Sequence, residues 1–550
     1  MRSLDWVVLL LSIVFIVFYG LWRSRGSNTV NKYLLAGKTM PWYAMALSIM
    51  ATQASAITFI SGTAQAYVDG MRFVQMYFGL PLAMVILSAT AVPLFHRSGV
   101  YTAYEFLERR FDAKTRALVS AIFLLQRGLA CGVALYAPAI VLTAILGIPD
   151  RATTLLMGSL VLLYTVAGGI QAVTWTDFQQ MLIMFAGVFI SLGMAIALLP
   201  GDTTVMDAFA LAGAAGRLNP VVLSFNWQDE FNIWTGLLGG MFLALAYFGT
   251  DQSQVQRYLT GKSIAQSRLS LLFNAVAKVP MQFLILLTGA MVFVFYSFEK
   301  PPIVFNPIEL QRLESQPGHA DLTRRYDAAY AERRAAASRY VKTKDEAALT
   351  DYRAANFRME NIRKETGTAD TNYIFLSFVT RYLPVGVVGL IMAAIFAAAM
   401  STISAEVNSL ATVSMVDIYR RYIKRDATDE HYLFASRAFT TFWCTYAIVT
   451  AQLGAGPVSL IVMVNKIGSY FYGGMLGVFA LAFFFPRVHG TAAFIGVLAG
   501  EAAILGASQL TQVSFLWYNV IGALVVIGTG LLVSVLPAQR ESSGPTSYGL

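Results

Sequence analysis

Runs of about 20 consecutive apolar residues, repeated along most of the chain, constrain its fold more than any other feature of the sequence. A run of that length crosses the hydrocarbon of a bilayer as an α-helix, which satisfies its own backbone polar groups where no water is present. The runs place expected spans at 6–22, 40–67, 73–95, 116–146, 153–170, 175–199, 231–254, 269–298, 385–419, 431–453, 458–486, 491–510 and 516–536, thirteen in all. With 57% hydrophobic and 13% charged residues over 550 positions, the expectation is an all-α, multi-pass protein of the cell membrane. The first run is too long for a signal-peptide core, lacks a small-residue cleavage site and is followed by Arg23 and Arg25, so it reads as a retained span.

The net charge of +9 does not point to nucleic acid, because the basic residues sit in short loops beside apolar runs. Counted from an outside N-terminus, about eighteen Lys and Arg fall in cytoplasmic loops and about four in short external ones. Arg97, Arg109, Arg110, Lys114 and Arg116 form one inner cluster; Arg420, Arg421, Lys424 and Arg425 form another. An odd number of spans leaves the polar tail 538–550 in the cytoplasm. The stretch 299–372 falls outside, and its core, 320–365, reads as one or two solvated helices over the outer face. Cys131 and Cys444 lie in apolar runs as packing residues, and no metal-ligand spacing or nucleophile–base pair suggests an enzyme. Nothing in the pattern demands an oligomer, so a competent monomer is expected.

Two spans carry interruptions. Ala51-Thr52-Gln53-Ala54-Ser55 puts small and polar residues at mid-depth of the second span, and Tyr247-Phe248-Gly249-Thr250-Asp251-Gln252-Ser253 does the same in the seventh, with Gly249 as the expected flexible point. Irregular backbone at that depth persists only where it lines a protein-enclosed cavity, so both breaks are expected to face one site. Counted from the first broken span, the second opens a new set of five, which predicts a five-plus-five inverted repeat with ligands near the midplane and alternating access. The repeats divide the chain into 1–39, 40–200, 201–486 with the insertion 299–372, and 487–550. A third signal lies at Ser401, Thr402 and Ser404, whose hydroxyls share a helical face with the Ala398 carbonyl. Such hydroxyls hold a desolvated cation, or else bond back to the preceding turn.

Four motifs in order carry a resemblance to the sodium/solute symporter family. They are Ser55-Ala-Ile-Thr-Phe59, Gly168-Gly-Ile-Gln-Ala-Val-Thr-Trp-Thr-Asp177-Phe-Gln179, Asp251-Gln-Ser-Gln-Val-Gln-Arg257, and Ala399-Met-Ser401-Thr402 through Asn408-Ser409 to Asp417-Ile-Tyr419. The resemblance implies sodium-coupled symport on a fold with two discontinuous helices. It also implies a Na+ site built from the carbonyls of Ala51, Ala54 and Ala398 and the hydroxyls of Ser401 and Thr402. Neutral oxygens of this kind suit a hard monovalent ion that must later be released. A second sodium, as in some members of the family, would use Asp177 and Ser404, although Ala405 stands where those members often have another serine. Asp177, placed near the inner boundary, could equally cap a helix or pair with a cation.

The resemblance places substrate contacts at Gln53, Ser55, Thr58, Gln75, Tyr77, Lys278 and Asn465, with Asp251 at the second break. Ser253 and Tyr77 replace an aromatic and a glutamate of the sugar-transporting members, so sugar specificity does not carry over. The runs 132–138 and 465–472 look like the monocarboxylate, vitamin and iodide branch. The expected substrate is a small polar organic solute, either a monocarboxylate- or vitamin-like anion or a sugar-like molecule. Arg127 and Lys466 would be intramembrane cations, answering a substrate carboxylate or pairing with Glu406, Glu501 or Asp251. The competing expectation is an uncoupled channel or membrane sensor on the same fold.

Overall fold

The computed structural model describes residues 1–23, 29–147, 149–201, 203–452 and 460–535. The main helices are α1 (Ser3–Arg23), α2 (Trp42–Gln53), α3 (Ala56–Asp69), α4 (Leu80–Ala89), α5 (Ala91–Ser98), α6 (Ala113–Leu146), α7 (Asp150–Ala197), α8 (Gly240–Thr250), α9 (Gln252–Leu259), α10 (Ile264–Phe298), α11 (His319–Thr343), α12 (Glu346–Glu365), α13 (Val387–Val413), α14 (Asp429–Ala451), α15 (Leu460–Phe484), α16 (Gly490–Leu510) and α17 (Leu516–Val535). Among the described residues there is no strand, and nine helical stretches are long and apolar enough to cross a membrane. This is a multi-pass, all-helical membrane protein. The tail 538–550 and the first residues of the span expected from 458 lie outside the described residues.

The helix α13 is the centre of the bundle: 89% of its apolar window is buried, against 22% for α1 and 33% for α16 and α17. Its small residues explain the placement, since Ala393, Ala394, Ala397, Ala398 and Ala399 allow close approach on every face. It packs against α7, α6, α1, α3 and α2. A second close contact joins α10 to α3, where a methyl group on Gly289 would meet the Thr63 carbonyl at 2.0 Å.

The spans expected at 153–170 and 175–199 are two helical segments within α7 that meet at Gly169 (φ 65°, ψ 179°) with no loop between them. Only glycine occupies that region comfortably, and a side chain there would strike the Tyr33 ring at 2.7 Å. The second break falls at Asp251 (φ −79°, ψ 120°) and not at Gly249, which stays helical against Leu87. Carboxylates make good helix N-caps, and Asp251 accepts from the Ser253 amide at 2.9 Å to start α9. Lys466 is exposed on α15.

Within 299–372, α11 and α12 pack side by side as two helices. They are fastened to the bundle by Tyr352 with Ser297 (2.9 Å), Arg217 with Glu360 (3.0 Å) and Lys344 with Asp207 (2.5 Å).

Candidate functional site: a broken helix against a hydroxyl-bearing one

The break between α2 and α3 follows from the local sequence. Ala54 leaves the helical region (φ −86°, ψ 68°), and Ser55, a favoured residue for starting a helix, opens α3 in an extended conformation. The last carbonyls of α2 thereby lose helical partners. Two of them take hydroxyls instead: Thr58 donates to the Gln53 carbonyl at 3.2 Å, and Thr402 on α13 donates to the Thr52 carbonyl at 3.3 Å. Ala51, Ala54 and Ala398 are fully buried around this contact.

On the residue before Thr402, the Ser401 hydroxyl donates to Asp177 Oδ1. Ser48 on α2 donates to Asp177 Oδ2 at 2.5 Å, and the Arg257 guanidinium on α9 stands 3.6 Å from the same carboxylate. Asp177 is fully buried in α7 past the Gly169 kink, and it gathers α2, α9 and α13. Ser404 donates to the Ser401 carbonyl at 3.1 Å. These bonds bear on cation binding. A hydroxyl has one proton, and when a fixed carboxylate or carbonyl takes it, the oxygen's lone pairs remain for something else. Ser401 and Thr402 are both in that condition, so the donor set fits a hard cation.

Beside this contact lies a cavity of about 90 Å³. Gln53, Ser55, Thr58, Tyr77 and Asn465 line it, and so does Thr402. Three expected substrate residues do not. Gln75 is consumed by the main chain, donating to the Arg72 and Phe231 carbonyls and accepting from the Val222 amide. Lys278 lies beyond the Tyr77 ring, its Nζ 5.6 Å from the ring centre. Asp251 holds Arg127 from behind and accepts from the Tyr472 hydroxyl at 2.9 Å.

Arg127, on α6, does line the cavity, paired with Asp251 and, at 2.8 Å, with Glu406. Of the three partners that its depth in the membrane made plausible, it has two. Sequence reasoning missed Ser48, Arg257 and Tyr472 as site residues. The available signals were weak: Ser48 lies one turn before Thr52, and Arg257 closes the motif that Asp251 opens.

A family model described as the sodium:solute symporter family matches residues 33–310 and 354–500. The sodium/sialic acid symporter of Aliivibrio fischeri is 28% identical over 545 residues, covering 97% of this chain and 93% of its own length. The sodium/glucose cotransporter of Vibrio parahaemolyticus is 27% identical over 506 residues, covering 90% of this chain and 83% of its own length. Among solved structures, a substrate-bound, outward-open Na+-coupled sialic acid symporter aligns over 98% of both chains with a TM-score of 0.79 at 24% identity, a likeness of fold.

Proposed function

The chain belongs to the sodium:solute symporter family and is a sodium-coupled symporter, and from that premise we propose that its ion binds where the α2–α3 break meets α13. The carbonyls of Ala51, Ala54 and Ala398 and the hydroxyls of Ser401 and Thr402 are the proposed ligands. The observation that carries this reading is the Thr402 hydroxyl on the Thr52 carbonyl, a contact between the two helices at the point where α2 unwinds. Asp177 and Ser404 are the proposed ligands of a second ion. Asp177 already accepts from Ser401, a contact that supports two neighbouring ion sites.

The co-transported molecule is a small polar organic solute. Gln53, Ser55, Thr58, Tyr77 and Asn465 support this, since they give the cavity a polar wall beside the proposed ion site. Relatives named for sialic acid, glucose and vitamins carry solutes of that kind. The shorter and broken helices, counted with the long ones, are consistent with thirteen spans and a five-plus-five inverted repeat, an outside N-terminus and a cytoplasmic C-terminus. The protein works as a monomer in this reading.

Sodium holds α2 and α13 together in the outward-facing state, and solute binding closes the outer side. Inward opening then parts the same helices and dissolves the ligand shell. With sodium ~10-fold higher outside and ~100 mV inside-negative, one ion supplies about 3.7 kcal/mol, ~1.4 from the gradient and ~2.3 from the potential. An uncoupled channel or sensor has no need of such a shell. Electrogenic uptake into liposomes tests the reading: sodium should drive uptake in the wild type and fail to do so in Ser401→Ala and Thr402→Ala. Uptake indifferent to sodium in all three would refute it.

A further inference from the structure

A buried trio at the cavity holds more carboxylate than guanidinium, and the nearby Lys278 amine is kept from it by the Tyr77 ring. Asp251 and Glu406 bring two carboxylates to one guanidinium, Arg127, and all three are at most 3% exposed. Arg127 is engaged at both ends of its fork: one nitrogen donates to Glu406 Oε1 at 2.8 Å, the other to Asp251 and to the Tyr472 hydroxyl at 2.6 Å. A guanidinium so held is a poor sole counter-charge for a monocarboxylate, because a third carboxylate would have to displace one of its partners or share their charge.

The free polar atoms point the same way. Among the described residues lining the cavity, four buried side-chain atoms lack a hydrogen-bond partner: Gln53 Oε1, Gln126 Oε1, Glu406 Oε2 and Arg127 Nε. Three are acceptors and one is a donor. The Cys131 thiol beside Glu406 is a weak donor and does not meet the carboxylate's need. A protonated amine presents three donors and one positive charge, which matches the unpartnered Glu406 carboxylate oxygen and two glutamine amides able to turn an oxygen toward it.

We propose that Glu406 sets the substrate class of this symporter, which is a small solute bearing a protonated amine. The amine seats on Glu406 Oε2 between Gln53 and Gln126. The inference rests on the symport reading above and narrows its substrate, against the anionic or sugar-like solute expected from the sequence. Glu406 is the member of the trio on which to place the test, because a glutamine oxygen can exchange with its nitrogen by a flip and a carboxylate cannot. On α13 it stands one turn beyond Thr402, so the proposed ion ligands and the amine acceptor ride on one rigid helix.

The test uses the purified full-length protein in thermal-shift titrations, in sodium and in potassium, with four probes: ethanolamine (cation), β-alanine (zwitterion), propionate (anion) and glycerol (neutral). In sodium, ethanolamine or β-alanine should bind at least ~10-fold more tightly than propionate or glycerol, the scale of a hydrogen bond to a charged group. Whether β-alanine outranks ethanolamine tells if Arg127 Nε adds a carboxylate contact, and either order supports the proposal. Glu406→Gln should lose that preference while sodium still stabilises it, and Glu406→Asp should retain it. Preference for propionate in the wild type overturns the proposal, as does an unchanged ranking in Glu406→Gln. Loss of sodium stabilisation in Glu406→Gln with amine binding intact also overturns it, because Glu406 would then be an ion ligand. Amine binding that depends on Glu406 but not on sodium supports the proposal and refutes the sodium site instead.

Discussion

Thr402→Val is the most direct probe of the proposed ion site. Valine keeps the shape and removes the hydroxyl that bridges α13 to the Thr52 carbonyl at 3.3 Å. Two separable losses follow. The buried Thr52 carbonyl loses its donor, which lowers stability without ligand by about 1–3 kcal/mol. The ion loses one neutral oxygen, and taking about 2 kcal/mol for a contact to a charged group raises its dissociation constant ~30-fold. The second loss is read as a difference between sodium and potassium. At sodium ~100-fold above the wild-type dissociation constant, sodium stabilises the wild type by about 2.7 kcal/mol, and a ~30-fold weaker site leaves about 0.9 kcal/mol. Thermal unfolding of both proteins across a sodium series, with ionic strength held by potassium, measures this gap. If sodium stabilises Thr402→Val as much as wild type while both lose stability equally in potassium, the hydroxyl is structural and the proposed shell is wrong.

Gly169→Ala should cost about 1–3 kcal/mol from backbone strain alone, with more from the Tyr33 ring 2.7 Å from the new methyl, read as a fall in melting temperature in sodium and potassium alike. Lys278→Met should raise the melting temperature, because it removes a fully buried amine whose Nζ has no hydrogen-bond partner, worth about 1–3 kcal/mol. A simultaneous fall in uptake would put Lys278 in the transport cycle despite its place behind Tyr77. At the insertion, the Lys344 ammonium and then Thr204 hold Asp207 down to about 2. A depressed carboxylate contributes stability above its ordinary value of about 3.9 and loses it as pH falls toward the folded value. Pepsin should therefore cut 319–365 increasingly between about pH 4 and pH 2, and Asp207→Asn should start from the higher susceptibility at the upper end.

The helices were legible because membrane solvent leaves a chain few options, so length and apolarity suffice to find α1, α6, α10, α13 and α15 to α17. The break at 51–55 was legible for the same reason, polar residues at mid-depth being costly unless enclosed. What misled was glycine. Gly249 suggested a flexible point, yet it serves close packing on Leu87, and Asp251 ends the helix by capping the next one. Gly169 stood only as part of a motif, yet there the chain turns sharply and joins two expected spans without a polar loop. Flexibility and close approach make the same demand for glycine in a sequence and differ only in what lies opposite.

Partners were harder to read than faces. The face of α13 bearing Ser401, Thr402 and Ser404 follows from helical spacing, but the partner that takes the Ser401 proton is 224 positions away, and that proton's direction is what leaves the oxygen free for an ion. The same helix then carries Glu406 to the solute cavity one turn on. A solute that draws Glu406 into the cavity fixes the tilt of α13, and the tilt decides whether Thr402 reaches the Thr52 carbonyl. Coupling of that kind is reciprocal: whatever factor sodium adds to solute affinity, solute must add to sodium affinity. Thr402→Val and Glu406→Gln should therefore each reduce that shared factor, and a variant that weakened the effect in one direction alone would show that α13 is not the element joining the two sites.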